Sequence, residues 1–386
     1  MKKLLAIVLA LTLVLTAAAA AAETIQIGIL LPYTGNLSLY GESMYEGATL
    51  AAKEINEAGG VLGCDLEIVK YDDQNDPNES LNGFYNLYSE GIELMIGPLS
   101  STCTGAIVDA ANDEGVVLLT CTATNDALDM EDNYIFRTCY LDSFQGAIGA
   151  AFCYQNGYNK VGAIYCASDT YSKGLYDSFA AACEKYGVEV VATESTASLD
   201  YTEYSNQFTA MVDAGAEVVY CPYYYDVIGP YVVNQARAAG FTGIILGTDG
   251  FDGVPGYIVP GSNLDDFNNV YWNNHFDPAS ENEIVKSFVE RYGAAYEGKI
   301  PNALSVLPYD AVYMYARALE RAGSADVEAV RDALADTSAV YECVTGTFSL
   351  DENGAPQKGA TMLSFYHDPE TDTVITIPVG FIDELP

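Results

Sequence analysis

Histidine is nearly missing from this chain of 386 residues, which holds only His275 and His367. Neither lies in a metal or nucleophile motif, and no Gly-x-Ser-x-Gly elbow or phosphate loop occurs. Acid–base catalysis, hydrolase chemistry and nucleotide binding therefore have little to stand on, and no catalytic residue is expected. Basic residues are scarce as well: 16 Lys and Arg stand against 54 Asp and Glu, a formal net charge of −38. The phosphate attraction that dominates nucleic-acid and anionic-lipid binding is repulsion here, so both partners are excluded. The acidity itself marks a heavily solvated surface and names no ligand. No C-x-x-C pair occurs among the nine cysteines (64, 103, 121, 139, 153, 166, 183, 221 and 343), and their irregular spacing fits neither a zinc ribbon nor a small disulfide scaffold. Several, such as Cys166 and Cys221, end apolar strands, so mostly buried free thiols are expected. The acidic loop 72–76 lacks the glycine and distal glutamate of a calcium-binding EF-hand and reads as a solvated turn. Neither a metal nor a cofactor is expected.

What is present starts with Lys2 and Lys3, an apolar run from Leu4, and small residues from Ala17 to Ala22. This is the pattern of a secretory signal peptide over 1–22, which places the remaining chain in the periplasm or at the extracellular face. A retained membrane anchor is the alternative. No cysteine follows the apolar run, so a lipoprotein attachment residue is lacking. About 360 residues remain, more than one hydrophobic core normally serves, and two lobes are expected.

From residue 25 the pattern alternates strand and helix. Strands are predicted over 25–31, 66–71, 94–97 and 116–120, with a helix over 42–58 that stops at Gly59-Gly60, a second to about residue 90, and a third between the last two strands. After a strand over 136–140 the alternation starts afresh: helices over 142–155, 171–186, 202–214 and 226–239 separate strands over 161–166, 188–193, 218–222 and 243–247. Helices over 283–297, 304–321 and 326–335 follow, then short strands near 346–350 and 362–366 with a turn at Asn353-Gly354. Two βαβ series of similar length predict an α/β protein of two doubly wound, parallel-sheet lobes. The tail is shared between them, so residues 23–140 with 273–344 form an N-terminal lobe and 141–272 with 345–386 a C-terminal lobe, joined by a three-strand hinge.

Two hydroxyl-rich turns stand at successive strand ends: Gly97-Pro98-Leu99-Ser100-Ser101-Thr102, and Thr120-Cys121-Thr122-Ala123-Thr124. Ligands bind at the carboxyl edge of open α/β sheets, where free N–H groups and hydroxyls suit a small anion such as a carboxylate. The two turns read as one pocket wall.

The chain resembles the branched-chain amino-acid-binding proteins, the type I periplasmic binding proteins that deliver amino acids to ABC importers. The likeness rests on Ile27-Gly28-Ile29-Leu30-Leu31-Pro32 with Thr34-Gly35, Tyr40-Gly41, Glu54-Ile55-Asn56 with Gly59-Gly60, and Leu66 to Asp73 with Asp76-Pro77. It continues in Asp113-Glu114-Gly115-Val116, Arg137-Thr138, Tyr171 with Gly174-Leu175, and Gln235 to Gly240. The resemblance implies that Ser101 and Thr124 hold the ligand's carboxylate and that the Thr122 carbonyl takes its ammonium. It further implies that Asp249 pairs with the ammonium from the other lobe, and that Tyr40, Tyr171 and Tyr225 form aromatic walls, the run Tyr223-Tyr224-Tyr225 leaving the last register open. Asn75 and Ser100 stand where the small disulfide loop of relatives falls. Aspartate at 249, where many relatives carry glutamate, puts leucine-type specificity in question.

A zwitterion buried between lobes must have both charges met. Ser101 and Thr124 with a helix N-terminus supply donors, and Asp249 with the Thr122 carbonyl supplies acceptors. The expected protein is thus an extracytoplasmic, monomeric solute-binding protein for a small α-amino acid, working with the membrane permease of an ABC importer. The alternative is a ligand-sensing subunit of a signalling receptor with the same fold. An enzyme, which would turn over a bound solute, is the third and least supported reading.

Overall fold

A computed structural model describes residues 24–128, 133–382 and 385; the expected signal peptide lies outside them. β1 (Thr24–Leu31) is apolar and fully buried from Ile27 to Leu31, as a central strand covered on both faces must be. It pairs in parallel with β2 (Asp65–Asp72) and β3 (Leu94–Ile96). With β4 (Val117–Thr120) and β5 (Ile135–Arg137) they form a five-stranded parallel sheet of order β2-β1-β3-β4-β5. The second sheet has seven strands: β6 (Lys160–Cys166), β7 (Glu189–Thr196), β8 (Val218–Tyr220), β9 (Ile244–Gly247), β10 (Val270–Asn274), β13 (Ala360–Asp368) and β14 (Thr373–Ile382), in the order β14-β13-β10-β9-β8-β6-β7. β11 (Val340–Cys343) and β12 (Gly346–Ser349) form a separate hairpin. The protein is therefore a two-lobed α/β fold.

Four details depart from the sequence expectation. Helix α1 (Ser38–Glu57) begins a turn earlier than predicted. A pair of short helices, α2 (Ser101–Gly105) and Val108–Glu114, stands where one helix was expected after β3. The helix predicted over 226–239 passes through a π turn at Ile228–Val232, where Pro230 lacks the N–H that a regular α turn needs. Last, β13 and β14 form a long antiparallel hairpin on the edge of the second sheet; Pro378 inside β14 is tolerated there because an edge strand need not donate on its outer side.

Helices α3 (Asp142–Gln155) and α4 (Thr170–Tyr186) pack together on the second sheet. After β10 the chain returns to the first lobe and builds α5 (Ala303–Ala322), which lies along α1. α5 starts at a capping box, Asn302 with Ser305, and stops at Gly323 in the left-handed region (φ 63°), each end satisfying backbone groups that a helix leaves unpaired. The two helices approach so closely that a Cβ on Gly47 would sit 1.8 Å from the Ser305 carbonyl oxygen. Tyr315 on the inner face of α5 donates to the carbonyls of Met95 (2.6 Å) and Val117 (2.9 Å), which ties α5 to β3 and β4.

Between the lobes the chain crosses around residues 137–142, 274–283 and 349–360. The crossings touch one another, since the Arg137 N–H donates to the Gly354 carbonyl at 2.9 Å. All nine cysteines are free thiols, and all but Cys64 are buried. Burial pushes the Cys103 thiol up to about 11 and the Cys139 thiol to about 12, so these two pack as protonated hydrophobes.

Candidate functional site

The turn after β3 reaches the cleft with Leu99 on its surface. Ser100 caps α2, its hydroxyl accepting from the Cys103 N–H at 3.3 Å. That leaves Ser101 free of the capping role. Its buried Oγ accepts from the Asn125 N–H at 3.3 Å, which joins the two hydroxyl-rich turns, while its own O–H remains to donate. Thr122 Oγ1 donates back to the Leu99 carbonyl at 2.6 Å. Buried Arg137 braces the second turn by donating to the carbonyls of Ala123 and, at 2.9 Å, Asn125. Between those two carbonyls sits Thr124, buried, its hydroxyl facing the buried Asp142 carboxyl.

The opposite wall is the Gly247-Thr248-Asp249-Gly250 turn after β9. Asp249 Oδ1 accepts from the Tyr171 hydroxyl at 2.6 Å, and Oδ2 lies 3.2 Å from His275 Nε2. The same Tyr171 oxygen contacts Thr248 Oγ1 at 2.7 Å and accepts from the Gly250 N–H at 2.9 Å. Tyr171 stacks on Tyr224, ring centroids 4.9 Å apart. Burial holds the Tyr171 phenol well above its usual range, and the Asp249 carboxylate adds to that, so it stays a donor. Burial also pushes the His275 imidazole down to about 4 against the pull of Asp249; it is neutral at pH 7. Among the described residues, no lysine or arginine pairs with Asp249. The turn allows no larger residue than glycine after Asp249, because a Cβ on Gly250 would lie 2.6 Å from the Tyr223 carbonyl oxygen and 2.7 Å from the Tyr171 hydroxyl.

One cavity runs between these walls. Leu99, Thr122 and Tyr40 line it from the first lobe together with Ala303, Leu304 and Leu307 at the start of α5; Tyr171, Tyr224, Asp249 and Gly250 line it from the second, and His275 lies at the crossing. The lobes also touch directly. Tyr40 donates through its hydroxyl to the carbonyls of Gly250 (2.7 Å) and Asp252 (2.9 Å). Thr102 Oγ1 donates to Asp169 Oδ1 and accepts from the Thr170 N–H, both at 3.2 Å.

Of the residues singled out in the sequence, Tyr40, Thr122, Tyr171 and Asp249 share this cavity. Ser101 and Thr124 are buried in the two linked turns and do not line it. Tyr225 lies outside: its hydroxyl donates to the Asn36 carbonyl at 2.8 Å and its ring packs edge-on against Tyr40, while Tyr224 occupies the wall. The sequence reading missed Tyr224, His275 and the three α5 residues. The tyrosine run signalled the first; nothing local signalled His275 or α5.

Residues 24–365 match the family model described as "Periplasmic binding protein". The leucine-, isoleucine-, valine-, threonine- and alanine-binding protein of Pseudomonas aeruginosa is 29% identical over 336 residues, covering 86% of this chain and 87% of that protein. Leu/Ile/Val-binding protein homolog 3 of Brucella melitensis is 30% identical over 340 residues, covering 87% and 90%. Among solved structures, the leucine-binding protein LivK of Thermotoga maritima superposes with a TM-score of 0.83 at 29% identity, over 93% of this chain and 99% of that one. The branched-chain amino acid transporter substrate-binding protein LivJ of Streptococcus pneumoniae, solved with isoleucine, gives 0.81 at 30% identity, over 92% and 100%.

Proposed function

This chain belongs to the periplasmic binding protein family, and we propose that it is a monomeric extracytoplasmic protein that captures a small α-amino acid between its lobes and delivers it to the permease of an ABC importer. The observation that carries this reading is the state of Asp249. It is a buried carboxylate on the cavity wall whose side-chain partners among the described residues are two neutral donors, Tyr171 and His275. A buried charge without a counter-ion is costly, and a ligand's ammonium is the cation that relieves it. The other end of the zwitterion falls to the first lobe, where the buried hydroxyls of Ser101 and Thr124 lie in the same linked turns as the lining residues Leu99 and Thr122. The Thr122 carbonyl assists at the ammonium. Leu99, Leu304, Leu307 and the aromatic rings of Tyr40 and Tyr224 form the apolar surround for a side chain. The relatives named for leucine, isoleucine, valine, threonine and alanine support the ligand class.

In this mechanism the first lobe takes the carboxylate and rotation about the three crossings brings Asp249 and Tyr171 over the ammonium. Closure removes water and strengthens each polar contact. The protein binds and releases its solute without turnover. A thermal-shift screen of the twenty amino acids tests this: a ligand at a hundredfold excess over its Kd stabilises by about 2.7 kcal/mol. Asp249→Asn is expected to abolish that shift. No shift with any amino acid at millimolar concentration would overturn the reading.

A further inference from the structure

His275 is one of the two histidines of this chain, and its surroundings are set by the tertiary fold. It follows directly on β10 and its backbone N–H is held by Asn274 Oδ1 at 2.9 Å. Its ring lies against Tyr140, centroids 3.6 Å apart at 25°, and its side chain is wholly buried. Packing thus fixes the ring plane, and Nε2 faces Asp249 Oδ2 at 3.2 Å. An imidazole facing a carboxylate through Nε2 carries its proton there, which leaves Nδ1 as a bare lone pair. Nδ1 is indeed buried with no hydrogen-bond partner among the described residues.

Asp249 therefore has one donor on each oxygen, Tyr171 on Oδ1 and His275 on Oδ2. Neither brings a positive charge. The two together fix the rotation of the carboxyl group without neutralising it, a combination that a lysine or arginine at 275 would destroy. Resting on the amino-acid reading above, we propose that His275 is a positioning residue that aims the Asp249 carboxylate at the ligand's ammonium and thereby sets the preference for an amine over a hydroxyl at the ligand's α-carbon. Burial favours the neutral ring, and Lys358 on the third crossing acts in the same direction; Asp249 alone opposes it.

The test compares L-leucine and L-alanine with their 2-hydroxy-acid analogues, 2-hydroxy-4-methylpentanoate and lactate, by calorimetry. His275→Phe keeps the stacking on Tyr140 and loses the donor; His275→Gln keeps a donor. The wild type is expected to prefer the amino acid strongly. In His275→Phe, amino-acid affinity should fall tenfold or more while hydroxy-acid affinity holds, and His275→Gln should restore most of the preference. Equal losses for both ligands in the Phe variant, or none, overturn the positioning role and leave the amino-acid reading intact. Wild-type protein that binds no amino acid overturns both. A measurement on unmutated protein guards against a variant that fails to fold: with only two histidines in the chain, nitrogen-15 histidine NMR resolves each ring. His275 must show the neutral Nε2–H form at pH 7, with His367, partly buried between Asp265 and Asp372, as the reference ring, and a charged or Nδ1–H ring at 275 sinks the proposal.

Discussion

Asp252 of the second lobe reaches across the cleft to the first residue of α5: its Oδ2 accepts from the Ala303 N–H at 2.9 Å and from Asn274 Nδ2 at 3.0 Å. A carboxylate at a helix N-terminus meets unpaired N–H groups and the positive end of the helix dipole. The contact links the lobes independently of any ligand, so it biases the molecule toward closure. Asp252→Ala should lose a charge-assisted bond of about 1.5–3 kcal/mol, weakening ligand affinity roughly tenfold or more. Small-angle scattering checks the cause, with a larger radius of gyration expected for the ligand-free variant than for the wild type.

The same pair predicts a pH dependence. Burial pushes the Asp252 carboxyl up to about 6, only partly offset by its bonds to Asn274 and Ala303. The closed form then holds a proton that the open form, with an ordinary carboxyl near pH 4, gives up. Closure draws most from this group below about pH 4 and loses the contribution as pH rises through 6. His275 works in the opposite sense: its depressed pKa favours the buried state above its ordinary value of about 6.5 and is lost as pH falls toward 4. Affinity measured from pH 4 to 8 should therefore fall more steeply on acidification in Asp252→Asn than in the wild type.

Thr124→Val separates binding from folding. The hydroxyl is buried against the Asp142 carboxyl, so replacing it with a methyl group of similar shape should cost only about 1 kcal/mol of ligand-free stability. Ligand affinity is expected to drop about tenfold, the worth of one hydrogen bond to a charged group. Denaturation with and without ligand gives both values.

Gly250→Ala tests the shape of the acidic turn. The added Cβ meets the Tyr223 carbonyl and the Tyr171 hydroxyl inside van der Waals distance, so Asp249 and its Tyr171 donor must shift apart. Amino-acid binding should disappear, at a stability cost of about 1–3 kcal/mol. Chemical denaturation combined with calorimetry checks the pair of outcomes.

Arg137→Met removes the guanidinium that braces the Ala123 and Asn125 carbonyls while keeping an apolar stem. Leaving buried acceptors unsatisfied costs about 1–3 kcal/mol each. A large fall in Tm accompanied by weaker binding is expected, because the same loop carries Thr122 and Thr124.

The legible part of this protein was the part written in local pattern. Alternating apolar strands and amphipathic helices announced two α/β lobes, and hydroxyls at the ends of β3 and β4 marked the binding edge, since each signal lies within a few residues of the backbone feature it creates. Register inside a uniform run was not legible. In Tyr223-Tyr224-Tyr225 the side chains are identical, and the wall residue is chosen where the backbone turns from extended at Tyr224 (φ −92°, ψ 164°) into the helix starting at Tyr225. Which of the adjacent Ser100 and Ser101 caps α2 is likewise decided by which hydroxyl lies over the Cys103 N–H.

By itself, then, the sequence determined the fold class, the acidic and thiol-rich character, and the carboxyl-edge hydroxyls, because short-range periodicity and composition govern all of them. Only the tertiary structure decided that Asp249 is shared by Tyr171 and His275, that Tyr40 bridges to Gly250, and that Asp252 seats on α5. Those partners are separated along the chain by anything from 26 to 210 residues. They meet because two sheets and three crossings bring their edges together, and a partner fixed by packing at such distance leaves no mark on the residues beside it.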